Sequence, residues 1–457
     1  MSGPRGGEAR IRRRHNSWRH RLTLMGGVLG LVVLAATLLP VNRQLELGNT
    51  ATLTTAAQAS LSPSFGEIVR WDLEPGWTLR SGNLAVVGEA TVIAGIRVER
   101  PARTAAYSVE EVKVPWLFHG SLGELELPVD ERRAGAITSV HPVATGHGNW
   151  LLLWGEGVPP ADWVGSWPPF FSSELWVSER RSEGWTQPRN LVAAGQVMLE
   201  HGSTVRHAPD GVPLVMLPII ERPSVTGSGP ILFGSPLDTL RAIPTPRSLL
   251  PYQGSFAVHR NGSIEAVVLG EVAQEGERLF QLVHLVTEDV GRSWSAPSVI
   301  ASWSRERYAP SDLSVYLDSS ENLHVVWSPN QGPGTAAVRH LVRGLGPQGW
   351  KEVKAPGVEG AVLRWTAGSD RQGVLTMVQE FLMPTEVSLT GLQSFRWSPD
   401  GGWSEPEPVM PGSHAGELFG GLGVKGEWRV GWSGIPGEDM PRYRDAPPVF
   451  SVYVWTP

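Results

Sequence analysis

The sequence predicts an all-β fold, a β-propeller of four-stranded blades, which follows one N-terminal transmembrane helix. Three observations lead to this prediction. The 457 residues include 53 glycines, 38 prolines and 20 tryptophans, a composition typical of many short strands joined by tight turns. A short segment containing tryptophan and proline recurs at a nearly constant interval. A charge-free apolar segment lies before the first copy.

The recurring segment is a tight turn followed by a tryptophan-containing strand that ends near a proline. The four clear copies contain Trp185, Trp294, Trp350 and Trp403. The gaps between them are 109, 56 and 53 residues. Because the first gap is about twice the others, a degenerate copy is expected near residue 240, and earlier copies are expected near Leu125 and Trp71. Four strands in a unit of about 55 residues is the spacing of a propeller blade, and the copies add up to seven blades.

Each unit also contains an inner hairpin with a turn dipeptide. In the segments His259–Leu269 and His207–Leu217 these dipeptides are Asn261-Gly262 and Asp210-Gly211, which tolerate a positive φ. His207 and His259 fall at the hairpin turns, where we expect turn or surface roles rather than metal ligation.

The two ends of the repeat predict how the ring closes. The last unit contains three strands, whereas the segment Glu67–Leu73 has no inner strand before it. We therefore expect this first segment to supply the missing outer strand of the last blade, which leaves no open edge. This arrangement favours seven blades. Six blades remain the alternative if the weak unit at residues 84–128 is irregular.

Composition excludes several classes of function. Cysteine is absent, which excludes disulfides, thiolate metal sites and a lipidated cysteine anchor. Seven arginines and one glutamate lie in the first 40 residues, although the whole chain has a net charge of −6. The remainder is therefore acidic, which argues against nucleic acid as a partner. No zinc-protease, Walker or nucleophile-elbow motif occurs, and we expect neither a metal nor a cofactor.

The N-terminal residues predict a membrane anchor. Residues 1–21 form a basic cytoplasmic segment, residues 22–41 a signal-anchor helix, residues 42–65 a flexible stalk rich in Thr, Ala and Ser, and residues 66–457 the propeller. The apolar run is long enough to cross a bilayer, and the arginines before it place the propeller outside the cytoplasm. The alternative is a secreted protein whose signal is cleaved, although the best cleavage triplet, at Ala57–Ala59, lies far downstream.

The segment TEDVGRSW, from Thr287 to Trp294, resembles the Asp box of sialidase-like propellers, also called the BNR repeat. The matching residues are Thr287, Asp289, Gly291 and Trp294, and a shorter copy contains Ser398, Asp400, Gly402 and Trp403. The residues themselves predict a turn, since an Asp carboxylate can accept backbone N–H groups and Gly can take a positive φ. The resemblance implies that these boxes lie opposite the active face and are structural.

The resemblance also implies candidate catalytic residues. Sialidases of this fold clamp a substrate carboxylate with three arginines, because a guanidinium binds a carboxylate through two hydrogen bonds. They use a tyrosine nucleophile paired with a glutamate, and an aspartate as acid. The corresponding candidates here are Arg100, Arg222 and Arg307 for the clamp, Tyr443 with Glu271 for the nucleophile, and Asp162 for the acid. For Arg222, Arg307 and Tyr443 the alternative is a solvated loop residue or a surface ion pair.

The loops that lead into each inner strand and the loops that join the second and third strands of each blade are expected to build the functional face. Trp163 and Trp167 lie in a long proline-rich loop, and Tyr308 precedes an inner strand. Exposed aromatic side chains stack on sugars or anchor protein interfaces, so these three are the candidate ligand-binding residues. Alternatively, both tryptophans fold back over the second blade.

The sequence favours a non-catalytic module that presents this face to a glycan or an envelope protein, since the fold is better marked than any catalytic motif. An exo-glycosidase of the sialidase type, which hydrolyses terminal sialic acid, is the enzymatic alternative. A further alternative is an assembly or scaffold factor for a membrane complex.

Overall fold

A computed structural model describes most of the predicted propeller. The described ranges are 67–99, 113–129, 136–157, 174–192, 196–197, 204–220, 229–274, 277–304, 311–329, 338–344, 349–356, 362–369, 372–382, 390–435 and 450–457. Within them no helix is long and apolar enough to cross a membrane. The predicted anchor, residues 22–41, and the predicted stalk, residues 42–65, lie outside the described residues.

Seven blades surround a central channel, and each is an antiparallel sheet that runs from an inner to an outer strand. In the first three blades the strands are β2 (Trp77–Val87), β3 (Ala90–Glu99), β4 (Lys113–His119) and β5 (Gly123–Glu124); β6 (Ile137–Ala144), β7 (Trp150–Glu156), β8 (Glu174–Arg181), β9 (Gly184–Trp185) and β10 (Arg189–Val192); and β11 (Gln196–Val197), β12 (Thr204–His207), β13 (Pro213–Ile220), β14 (Ile231–Gly234) and β15 (Arg241–Ala242). A short 3-10 helix, Gly146–Gly148, lies in the second blade.

The remaining blades follow in chain order. Their strands are β16 (Leu249–Val258), β17 (Ile264–Gln274), β18 (Glu277–Thr287) and β19 (Ser298–Ser304); β20 (Ser311–Leu317), β21 (Leu323–Ser328), β22 (Arg339–Arg343) and β23 (Lys351–Val353); β24 (Val362–Ser369), β25 (Leu375–Leu382), β26 (Thr390–Ser398) and β27 (Gly402–Trp403); and β28 (Glu407–Leu422), β29 (Trp428–Ile435) and β30 (Ser451–Thr456). The long strand β28 pairs with β26 at its start and with β29 at its end, so it joins the sixth and seventh blades.

The second strand of a blade is buried on both faces, because a neighbouring blade packs against each side. β7 (WLLLWGE) and β21 (LHVVWS) are buried at every residue. Such strands appear in the sequence as continuous apolar runs rather than as an alternating pattern. The core is therefore divided into layers between the blades.

The ring closes as predicted. β1 (Glu67–Asp72) pairs antiparallel with β30 over six residues, from Glu67 opposite Thr456 to Asp72 opposite Ser451. The N-terminal strand is thus the outer strand of the seventh blade. Ile68 of β1 is buried in the same cluster as Trp455, so the closure is made by packing as well as by backbone hydrogen bonds.

The recurring tryptophans each contact the preceding blade. The indole of Trp185 donates to Glu126 O of the first blade at 3.1 Å. Ring centroids lie 5.3 Å apart for Trp294 and Phe233, 5.4 Å for Trp350 and His284, and 5.5 Å for Trp403 and His340. Because every blade needs the same contact with its neighbour, the tryptophan recurs at the period of the blade.

Candidate functional site

The centre of the ring contains a cavity of about 490 Å³, which we call the channel cavity. It is lined by the inner strands of all seven blades, β2, β6, β12, β16, β20, β24 and β28. Asp312, Leu363 and Thr204 stand at the beginnings of their strands. The cavity therefore extends toward the end of the blades at which the second and third strands join, here called the loop end. The opposite end, where first and second strands join, is the hairpin end.

Side chains of the lining bridge neighbouring inner strands. Five such hydrogen bonds each join a side chain of one blade to the backbone of the next. They run from Asn83 Nδ2 to Val140 O (2.9 Å), from Thr204 Oγ1 to Gly254 O (3.1 Å), from Leu313 N to Gln253 Oε1 (3.2 Å), from Val315 N to Ser255 Oγ (3.0 Å) and from Gly82 N to Glu417 Oε2 (2.8 Å). Each contributes about 1 kcal/mol, and together they hold the wall of the cavity in one geometry.

Charged and aromatic groups complete the wall near the loop end. The Arg364 side chain is 48 % exposed, and its Nε lies 4.0 Å from a carboxylate oxygen of Glu380. Asp312 has a φ of 53° at an irregularity in the β20–β21 register, a conformation that Asp tolerates better than most residues. Trp365 and Phe419 also line the cavity. The wall thus offers a cation, carboxylates and apolar surface.

Arg206 and Tyr316 lie at the hairpin-end floor of the channel cavity. The Arg206 guanidinium stacks on the Tyr316 ring at 4.8 Å and donates to Val205 O at 2.8 Å and to Val315 O at 3.1 Å. Burial lowers the pKa of Arg206, and Tyr316 opposes that shift. Both residues also line a second cavity of about 160 Å³ toward the hairpin end. The stacked pair therefore separates the two cavities.

His141 of β6 also lines the channel cavity. Burial lowers the pKa of its imidazole to about 4, so the ring is neutral near pH 7. Its Nδ1 is inaccessible to solvent and has no hydrogen-bond partner among the described residues. Within the same residues, no group of three or more metal-binding side chains occurs.

A tyrosine–glutamate pair lies at the loop end of the fourth blade. Tyr252 Oη donates to Glu271 Oε2 at 2.6 Å, and Arg278 lies 3.1 Å from Glu271 Oε1. Glu271 is 2 % exposed, whereas the Arg278 side chain is half exposed. Glu271 was predicted to pair with Tyr443, which lies outside the described residues. The described tyrosine partner of Glu271 is Tyr252.

The other predicted site residues lie outside the described part of the chain. These are the candidate catalytic residues Arg100, Asp162, Arg222 and Arg307, and the candidate ligand-binding residues Trp163, Trp167 and Tyr308. Their roles stay predictions. The polar groups of the inner strands were not predicted, because each of them looks like an ordinary strand residue in its own segment.

The turn from Thr287 to Trp294 forms as its residues predict. Asp289 accepts hydrogen bonds from Ser293 N at 2.8 Å, Ser293 Oγ at 2.6 Å and Thr287 Oγ1 at 2.8 Å, and Gly291 has a φ of 81°. The hydrogen bonds from Ser293 and Thr287 lower the pKa of Asp289 to about 2. The turn follows the hairpin end of β18, away from Glu271, and so has a structural role.

The shorter copy is held differently. There, Gly401 N donates to Ser398 Oγ at 2.9 Å, and Gly402 has a φ of 73°. Trp403 pairs with Trp397 across the turn. Ser398 rather than Asp400 thus accepts the hydrogen bond that closes this turn.

No protein family and no curated protein matches this sequence. Among solved structures, an ulvan lyase from a new polysaccharide lyase family is similar, with 10 % identity, a TM-score of 0.49 and coverage of 83 % of this chain and 95 % of that chain. An α-L-arabinanase from Penicillium chrysogenum has 11 % identity, a TM-score of 0.40 and coverage of 70 % and 93 %. The endosialidase of phage phi92 has 10 % identity, a TM-score of 0.40 and coverage of 86 % and 69 %. Similarity at this level carries no information on activity.

Proposed function

We propose that this chain is a non-catalytic binding module that takes a saccharide into the loop end of its central channel. The observation that carries the proposal is the channel cavity of about 490 Å³, whose size lies within the range of about 300–1,000 Å³ typical of ligand sites. Its wall is held by hydrogen bonds between adjacent inner strands. A wall fixed in this way loses little conformational freedom when a ligand binds.

The chemistry of the wall supports a polyhydroxylated ligand. Arg364 and Asp312 supply donors and acceptors of opposite charge, and Trp365 and Phe419 supply apolar surface. Sugars combine hydroxyl groups with apolar ring faces, which such a mixture can contact. Because both signs of charge are present, a neutral or weakly charged saccharide suits the cavity better than a polyanion.

Glycan-array binding followed by calorimetry on the full chain in detergent tests the proposal. We expect Arg364→Ala and Asp312→Asn to weaken binding of an array hit about tenfold each, which corresponds to about 1.4 kcal/mol. Arg241→Ala is the matched control, because Arg241 is exposed on the outer strand β15. Binding that neither cavity variant changes would place the ligand elsewhere, and an empty array would refute a saccharide ligand.

One observation favours a second candidate, a glycosidase of the sialidase type. The hydrogen bond of 2.6 Å between Tyr252 and the buried Glu271 joins a phenol to a carboxylate that could take its proton. Turnover of a fluorogenic sialoside by the wild type, lost in Tyr252→Phe and in Glu271→Gln with unchanged circular dichroism, would replace the binding-module proposal. Absence of turnover in the wild type would remove this candidate.

We also propose that residues 22–41 anchor the propeller outside the cytoplasm. Support comes from the charge-free apolar run and the arginines before it. Membrane fractionation with protease protection tests this: a membrane-bound protein digested from outside is expected. A soluble product that begins downstream of residue 41 would show a cleaved signal instead.

A further inference from the structure

Two consecutive blades bury ionisable side chains at equivalent positions. In the fourth blade His259 N donates to Ser263 O at 2.9 Å, and in the fifth Asp318 N donates to Asn322 O at 3.1 Å, so both residues begin the inner hairpin turn. Glu265 and His324 follow six residues later on β17 and β21. His284 lies opposite Val267, and His340 lies opposite Val326. The equivalent trios are His259, Glu265 and His284, and Asp318, His324 and His340.

The second and third blades fill the later two positions with apolar side chains. Their inner turns begin with the same backbone bond, from Thr145 N to Asn149 O and from Ala208 N to Val212 O. The equivalent buried residues are Leu151 and Val177 in the second blade, and Leu214 and Phe233 in the third. The blade fold therefore does not require ionisable groups there. Because buried charges cost free energy even when paired, these trios call for another explanation.

In the fourth blade, Glu265 joins two histidines to the fifth blade. Its carboxylate lies 2.7 Å from His259 Nε2 and 2.6 Å from His284 Nε2, and Arg343 of β22 contacts the same carboxylate. Burial alone raises the pKa of Glu265, but the bonds from the histidines and the charge of Arg343 outweigh it and lower the pKa to about 2. The bond to Glu265 raises the pKa of His259. Glu265 therefore stays ionised through moderate acid.

In the fifth blade, chemistry fixes the direction of a hydrogen-bond chain. The indole of Trp403 can only donate, so at 3.1 Å it makes His340 Nδ1 an acceptor. His340 Nε2 then carries the proton and donates to His324 Nδ1 at 2.9 Å. His324 Nε2 in turn donates to Asp318 Oδ2 at 3.2 Å. Every bond of this chain is satisfied only while both imidazoles are neutral.

The turn from Asp318 to Asn322 connects both groups. Asp318 accepts from Ser320 N and Asn322 N, each at 2.9 Å. Glu321, at a φ of 60°, accepts from Arg260 N at 3.0 Å and lies 3.6 Å from His259 Nδ1. One end of the turn is therefore tied to the fourth blade, and the other is tied through the histidines to the sixth.

We propose that the Asp318–Asn322 turn is a pH-sensitive latch between the fourth, fifth and sixth blades, closed near neutral pH and opened by acid. A proton added to His340 places its Nδ1–H against the indole N–H of Trp403, and burial offers the new cation no partner of opposite charge. One bond between the fifth and sixth blades must then break. Burial, followed by the charge of His324, lowers the pKa of His340 to about 3. A low pKa is expected when adding a proton to a buried imidazole breaks one of its hydrogen bonds.

The charged and titratable groups around the hydrogen-bond chain from Trp403 to Asp318 do not compensate for a proton added to it. Among the described residues, the titratable members are Asp318, His324 and His340 themselves. On the same strands, Arg339 is held by Glu352 at 2.8 Å and Arg343 contacts Glu265. The described cover from the sixth blade consists of the neutral rings of Trp397 and Trp403. β20 ends just before the turn and also lines the channel cavity. Opening of the latch would therefore affect the wall of the proposed ligand site. That last step rests on the proposed function, whereas the latch itself does not.

Hydrogen exchange with mass spectrometry on the full chain, without ligand, tests the latch. At about pH 5 compared with about pH 7.5, after scaling for intrinsic exchange, we expect at least a tenfold loss of protection in peptides from residues 318–327 and 338–344. Peptides from the third blade, residues 208–220, should keep their protection. Equal loss in all blades, or no loss in the fifth, would overturn the proposal.

A matched pair of variants separates the latch from general acid sensitivity. The double variant His324→Gln and His340→Gln preserves the order of donors and acceptors but cannot be protonated, so the acid-induced loss should disappear. His259→Gln, in the fourth blade, should leave that loss in place. A loss that persists in the double glutamine variant would refute the proposal, and if that variant does not fold, the comparison of blades in the wild type still decides.

Discussion

Ring closure by β1 gives a prediction whose size follows from the structure. Ile68 is 3 % exposed and packs in a buried cluster with Trp455 and Val430. Replacement by alanine removes three buried carbon atoms and leaves a cavity between the seventh and sixth blades. Such substitutions cost about 2–5 kcal/mol. A central value of about 3 kcal/mol is a large part of the roughly 5–15 kcal/mol by which domains are stable.

Urea unfolding followed by tryptophan fluorescence measures this effect. We expect Ile68→Ala to lower the unfolding midpoint without a change in the slope of the transition, since the loss is in native packing. Glu67→Ala is the control in the same strand, because Glu67 is exposed, and it should change stability by less than about 0.5 kcal/mol. A loss below about 1 kcal/mol for Ile68→Ala would show that β1 does not close the ring.

Two further predictions concern the channel and the pH dependence of stability. A Cβ on Gly421 would lie 2.0 Å from Leu84 O. Gly421→Ala should therefore lower the free energy of unfolding by about 3 kcal/mol, because it forces the first and seventh blades apart. The control is Gly123→Ala, where the Cβ meets no neighbour but φ is 80°; it should cost about 1 kcal/mol in the same urea assay. His340, with a pKa lowered to about 3 by burial and by His324, takes up a proton on unfolding. The contribution of His340 to the free energy of unfolding is therefore complete above its unfolded-state pKa near 6.5. It is lost as the pH falls toward 3, and the loss is about 2 kcal/mol at about pH 5. A urea midpoint that does not fall between neutral pH and about pH 5 would contradict this.

The architecture could be predicted because it depends on features that must recur. Each blade needs one tight turn and one large side chain against its neighbour, so Trp185, Trp294, Trp350 and Trp403 repeat with the blade period. Closure could also be predicted, since a final unit with three strands needs a partner for β30. These constraints are local in sequence, and a single chain displays them several times.

The candidate site could not be predicted in the same way. Asn83, Thr204, Gln253 and Glu417 are far apart in sequence, and the ring alone brings them to one wall. The sequence predicts ligand-binding roles for loop residues such as Trp163, and those roles stay predictions. Glu271 was predicted to pair with Tyr443, which lies outside the described residues. Its described partner, Tyr252 of the neighbouring inner strand, was not predicted, because the register between β16 and β17 decides that contact.

The buried histidines could have been recognised by comparing the repeat units with one another. His259 was expected in a turn or surface role. It begins the inner hairpin turn, but it is 6 % exposed and bonded to Glu265, so it is not a surface residue. Aligning the fourth and fifth units on their turns places Glu265 above His324 and His284 above His340, at positions that the second and third blades fill with leucine, valine or phenylalanine. A repeat protein supplies its own control for what the fold requires. Residues that depart from the repeat in a buried position, at a cost in desolvation, are the ones for which a role beyond folding should be sought.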